Sequence, residues 1–218
     1  MDENLWELPQ LTIRRISVSS MDNNIYLLTS RRTGTQLLID AADDSPAIFD
    51  LLAVAAADVE PGTEAKLAAV FTTHSHWDHV RALAEVVAQT GARTVAGTLD
   101  AATLQCPLMH PYIIKTFASS ATSTSRRSTC AVTPRASIAL LYQDSVGPAH
   151  LFTGDSLFPG GVGNTENDPA RFEQLLNDVT ERIFERLPDD TIVNPGHGKG
   201  TTLGAERPQL ASWRARGW

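Results

Sequence analysis

An apolar run at residues 67–72 (LAAVFT) leads directly into residues 73–79, which read THSHWDH. That junction constrains the fold more than any other stretch of the chain. A short run of buried-strand type ends in a polar loop, and Val80, Leu83, Val86 and Val87 then recur at helical spacing over residues 80–89. Gly91 closes that helix, and residues 93–97 (RTVAG) read as the next strand. The grammar is βαβ, which predicts an α/β fold with ligands at the carboxyl end of a strand, where sites in such sheets tend to lie.

The loop itself carries His74, His76, Asp78 and His79. Imidazole and carboxylate together suit zinc, iron or manganese, and the absence of paired cysteines argues against a closed structural zinc site. In extended chain alternate side chains share a side, so His74 and His76 are placed to converge on one ion, leaving Asp78 and His79 for a second. Two ions roughly 3.5–4 Å apart can share a hydroxide and clamp both the attacking and the leaving oxygen of a substrate. Two later loops offer more ligands. Residues 151–158 (LFTGDSLF) run a strand into Gly154 and deliver Asp155, which could bridge two metals. Residues 194–200 (NPGHGKG) follow a short strand at 191–193 and hold His197 between glycines, where the backbone can approach closely.

In these motifs, HxHxDH at 74–79, GDSLF at 154–158 and PGHG at 195–198, the chain resembles the metallo-β-lactamase fold superfamily and its glyoxalase II-like hydrolases. The resemblance implies an αββα sandwich with metals at one edge. It assigns His74 and His76 to a first metal, Asp78, His79 and His197 to a second, and Asp155 to the bridge, with Asp78 and Asp155 as the catalytic carboxylates. It implies two divalent ions, zinc first and iron or manganese as alternatives, and a metal-bound hydroxide that attacks a thioester or ester carbonyl. A persulfide dioxygenase-like enzyme with one iron resembles the same subfamily, and a catalytically impaired member is a further alternative. The chain ends soon after PGHGKG, so the extra helical domain with which glyoxalase II enzymes hold a glutathione thioester is not expected.

One ligand of that pattern has no counterpart. The family places a third histidine for the first metal in a segment like HTPGHTPGS, whereas residues 128–137 read STCAVTPRAS. From 101 to 143 there is no Asp or Glu in a chain with 25 of them, and half of residues 116–137 are Ser or Thr. The genetic code offers an explanation. Codons for His-Leu-Arg-Gly-His-Thr-Pro-Gly, read from the second base, give Thr-Cys-Ala-Val-Thr-Pro-Arg and the start of Ala, which is the sequence at 129–136. About 104–136 is therefore read as out of frame, with Thr133 standing where the histidine would be. His110, Cys106 and Cys130 fall in this stretch and receive no role; His150 is read as structural or surface.

Elsewhere residues 12–19, 24–30 and 35–40 read as a meander of strands, the last two joined by a turn at 31–34. Helices are expected at 45–59, with Ser45 as cap and Pro46 in the first turn, and at 168–187. With 218 residues and 42% hydrophobic content, one domain over 1–218 with a sizeable core is expected. An acidic start without an apolar run predicts neither signal peptide nor membrane span, hence a cytoplasmic protein. A net charge of -7 without a basic stripe disfavours a nucleic-acid surface and leaves a small molecule as the expected partner. The oligomeric state is not readable.

Overall fold

The computed structural model describes residues 4–97, 130–132 and 138–217. Of the stretch 104–136 read as out of frame, only residues 130–132 are described; Thr133, His110 and Cys106 lie outside the described residues. Strands β1 (Leu5–Glu7), β2 (Leu11–Val18), β3 (Asn23–Ser30), β4 (Thr35–Ile39), β5 (Lys66–Phe71) and β6 (Arg93–Val95) form one sheet in chain order. The first four pair antiparallel, whereas β4 with β5 and β5 with β6 pair parallel, the latter being the βαβ unit read from the sequence. A second sheet has the order β13-β12-β9-β8-β7, from β7 (Cys130–Val132), β8 (Ile138–Tyr142), β9 (His150–Gly154), β12 (Ile192–Pro195) and β13 (Thr201–Thr202). β10 (Leu157–Phe158) and β11 (Gly161–Val162) make a small hairpin.

Period-two alternation turns these sheets into layers. On β3, Ile25 and Leu27 face helices α1 (Ser45–Ala55) and α2 (Leu83–Thr90), packing with Ile48, Leu51, Leu83 and Val86. Tyr26 and Leu28 face the other way, into a core shared with Ile138, Leu140 and Phe152 of the second sheet. On that sheet Ala139, Leu141 and Leu151 look outward to α3 (Pro169–Val179) and to Trp213 of the last helix. The order helix, sheet, sheet, helix is the αββα sandwich. Three separate apolar clusters follow, one between each pair of layers, and each fully buried Leu, Ile or Phe contributes about 1.5–3 kcal/mol by leaving water.

The helix ends differ from the sequence reading for local reasons. Asp44, not Ser45, caps α1: its carboxylate accepts from the Ala47 amide at 3.2 Å, while the Ser45 hydroxyl donates to Glu85 at 2.5 Å and ties α1 to α2. The helical pattern expected through residue 59 gives way to a 3₁₀ turn at Ala56–Asp58. Asp58 is drawn into a bidentate pair with Arg14 at 2.6 and 2.7 Å. Asp168 caps α3 through the Ala170 and Arg171 amides, and α3 loosens into a π turn at Thr180–Phe184. The helix expected from residue 80 begins at Leu83, because Trp77–His79 is a separate 3₁₀ turn.

The carboxyl ends of β4 and β5 in one sheet, and of the parallel pair β9 and β12 in the other, lie at a common edge. The seam there is closed by the Ile138 amide donating to the Thr73 carbonyl at 2.8 Å and by the Tyr26 hydroxyl donating to the Pro195 carbonyl at 2.8 Å. All the expected ligands are carried on loops that leave these strand ends.

Candidate metal centre

β5 ends at Phe71, and the chain then runs extended through His76 before turning at Trp77–His79. This buries His74, Asp78 and His79 and leaves His76 exposed. Among the described residues two sets of candidate ligand atoms result, each within 4.8 Å: His74, His79 and Asp155, and Asp78, His79 and His197. His79 is common to both. His76 belongs to neither, but its Nδ1 lies 2.9 Å from His74 Nε2.

The hydrogen bonds fix which nitrogen of each ring is free. His79 Nδ1 meets Asp40 Oδ2 at 2.9 Å, so it carries a proton and directs Nε2 into the site. His197 Nδ1 meets the Met21 carbonyl at 2.8 Å, which only a protonated nitrogen can do, so its Nε2 points the same way. Thr73 gives its hydroxyl proton to Asp40 Oδ2 at 2.8 Å and stands 3.0 Å from His74 Nδ1, leaving His74 Nε2 as the inward atom. Oriented imidazoles whose outer nitrogen is held by a carboxylate or carbonyl are the usual arrangement around a metal.

The electrostatics demand positive charge at the centre. The Nε2 atoms of His79 and His197 are 3.1 Å apart, and Asp155 Oδ1 is buried without a hydrogen-bond partner, 3.3 Å from the first and 3.6 Å from the second. Two lone pairs and a carboxylate oxygen so placed need a proton or a cation between them. Burial opposes protonation of His79, but Asp155 and Asp40 outweigh burial and push its pKa up to about 10. Asp155 is correspondingly drawn down to about 2, its burial overcome by His79 first and then by His74 and His197. His74 goes the other way, to about 4, because burial and the neighbouring His79 charge dominate. Asp78 is also lowered, against its burial, chiefly by a hydrogen bond from Asn23. Three imidazoles and two carboxylates converging in this way fit a divalent ion.

Close backbone approach is part of the construction. A Cβ on Gly196 would lie 2.6 Å from Asp155 Oδ1 and 2.7 Å from His79 Cε1. Gly154, at φ +50, would place one 2.6 Å from Thr73 Oγ1.

The expected residues His74, Asp78, His79, Asp155 and His197 thus meet at one edge, with His76 beside them. Others were not singled out from the sequence. Asp40 takes the Thr73 amide, the Thr73 hydroxyl and His79. Asn24 donates to the carbonyls of Pro195 and Gly198 at 3.0 and 2.8 Å, gripping the His197 loop, and Asn23 touches both Asp78 and His197. Asp40 had a usable signal, an acidic residue ending an apolar strand just as Asp155 does.

Residues 21–120 match the family model of the Metallo-beta-lactamase superfamily. A hydroxyacylglutathione hydrolase of Thermosynechococcus vestitus is 30% identical over 189 residues, 81% of this chain and 64% of that protein. Among solved structures, ETHE1 from Myxococcus xanthus aligns with a TM-score of 0.67 at 26% identity, over 93% of this chain and 84% of that one. BLEG-1 B3 metallo-beta-lactamase aligns with a TM-score of 0.65 at 22% identity, over 90% and 96%. The chain spans from 25% to 66% of the length of curated relatives it matches.

Proposed function

The chain belongs to the metallo-β-lactamase superfamily, and from that premise we propose that it is a metal-dependent hydrolase of the glyoxalase II-like type, acting on a small-molecule thioester or ester. The observation that carries the reading is the convergence of His79 Nε2, His197 Nε2 and the unpartnered Asp155 Oδ1 on one point. In this proposal Asp78, His79 and His197 would hold one divalent ion, and His74 and His76 a second, weaker one, with Asp155 within reach of both sets. Zinc is the first candidate, with iron and manganese as alternatives. Such ions supply a water acidic enough to ionise near neutral pH and a Lewis acid for the developing oxyanion.

The chain's own residues supply orientation. Asp40 fixes His79 directly and His74 through Thr73, so one buried carboxylate aligns a ligand of each ion. The Met21 carbonyl fixes His197. A thioester is favoured over other acyl compounds by the hydroxyacylglutathione hydrolase relative; the acidic net charge of -7 speaks against nucleic acid. We take residues 1–218 as one domain of this type.

The test is metal analysis of the purified chain together with a panel of thioesters and esters and an oxygen electrode. Hydrolysis that a chelator abolishes and a divalent ion restores is expected. With Thr133 where the family pattern has histidine, the ion-to-chain ratio should be nearer one than two. His197→Ala should remove the retained ion and lower turnover by at least about 100-fold. Oxygen uptake with a persulfide and bound iron would replace this reading by the dioxygenase one. Absence of both metal and turnover would sink it.

A further inference from the structure

We propose that Ser19 and Asn23 form a positioning pair that aims Asp78 and His197 at a single cation, an inference that rests on the metal reading above. Asn23 is fully buried at the start of β3. Its Nδ2 lies 3.0 Å from Asp78 Oδ2, 3.2 Å from the Asp78 carbonyl and 3.4 Å from His197 Nε2, and its backbone forms a bridge with His197. One carboxamide therefore contacts two candidate ligands that are 55 and 174 residues away in sequence; its two N–H groups go to Asp78, so the 3.4 Å contact leaves the His197 Nε2 lone pair for a cation. By donating to Oδ2 it occupies one lone pair of that oxygen and leaves the other for a cation, which fixes both the rotation of the carboxylate and the side from which it binds.

A carboxamide can turn over, and a turned Asn23 would set its own oxygen against the Asp78 carboxylate. Ser19 prevents this. Its hydroxyl donates to Asn23 Oδ1 at 2.6 Å, which commits Nδ2 to Asp78, and it accepts from the Met21 amide at 3.0 Å. Ser19 sits at φ 65, a left-handed conformation that glycine adopts without strain. What serine adds over glycine at that position is its hydroxyl, whose contacts are Asn23 Oδ1 and the Met21 amide. Neither residue needs to touch an ion or a substrate to act in this way.

The experiment uses Co(II) as probe, titrated into the metal-free full chain against a chromophoric chelator, with the visible absorption band and thermal melting recorded in parallel. Asn23→Ala should weaken Co(II) binding by about 10- to 100-fold and shift the band. Ser19→Gly should weaken it about 3- to 10-fold, more than the change in metal-free melting temperature accounts for, because the fit of glycine to φ 65 offsets part of the lost hydrogen bond to Asn23. That separation distinguishes positioning from a general effect on folding. Wild-type affinity and an unchanged band in both variants overturn the proposal, as does an Asn23→Ala loss that only follows its melting temperature while Ser19→Gly binds normally. His197→Ala is the control for the reading beneath it. If that variant binds Co(II) as the wild type does, the metal site is misassigned, and that failure is distinct from failure of the pair.

Discussion

Gly196 shows how tightly single atoms decide this site. Since its hydrogen occupies the space between Asp155 Oδ1 and His79 Cε1, Gly196→Ala must push one of them aside. The expected result is at least a tenfold loss in metal affinity, read by chelator competition, with the far-UV circular dichroism spectrum retained. His150 gives a residue-scale prediction of another kind. It is buried at the start of β9, edge-on to Trp6 at 5.7 Å, and burial alone lowers its pKa to about 4. The unfolded chain takes up that proton near the ordinary value of 6.5, so the folded state loses stability as pH falls from about 6.5 toward 4, by at most about 1.4 kcal/mol per pH unit. His150→Gln should flatten this part of the profile, measured as the difference in denaturant midpoints between pH 7 and pH 5. The metal-ligand candidates were legible in sequence because they cluster in short motifs at strand ends. Asp40 offered only the signal of an acidic strand end, and Asn23 and Asn24 read as a polar turn, because what gives all three their meaning is a partner 33 to 174 residues distant.

Among the elements, the β2–β3 hairpin does most to join the two sheets around the centre. The Asp22 and Met21 carbonyls, the Asn24 side chain and amide, and the Tyr26 hydroxyl all hold residues 195–198. Burial pushes the Tyr26 phenol up, so it stays a donor at any ordinary pH. Asn24→Ala leaves the Gly198 carbonyl without this donor and should cost about 1–3 kcal/mol in denaturant unfolding, with the Pro195 carbonyl still held by Tyr26. Strand positions were readable from alternation to within a residue or so: β4 and β5 begin and end almost where apolar periodicity puts them. Helix ends were less so, since the choice of Asp44 over Ser45 as cap depends on Glu85 of a different helix competing for the Ser45 hydroxyl. Periodicity carries no information about such competition.

At the scale of the whole molecule, four layers enclose three apolar clusters, and the middle one depends on residues from both sheets. Phe152, fully buried there and packed edge-on against Tyr26 at 5.1 Å, faces the first sheet from the second. Phe152→Ala should destabilise by about 3–5 kcal/mol and loosen metal retention as well, because the two halves of the site ride on the two sheets. Patterning reached the βαβ unit, and the four-layer sandwich was expected only from the family resemblance of the motifs; the pairing of β9 with β12 in parallel, which sets Asp155 beside His197, connects segments too far apart for any local pattern to report. That division of the candidate ligands has a thermodynamic consequence. His74, Asp78 and His79 come from the amino-terminal sheet, Asp155 and His197 from the carboxy-terminal one, so an ion held by both acts as a clasp whose closing is linked to folding itself. Free ion at 100 times its dissociation constant would add about 2.7 kcal/mol to the folded state, and the melting temperature of this protein would then serve as a gauge of how much metal its surroundings contain.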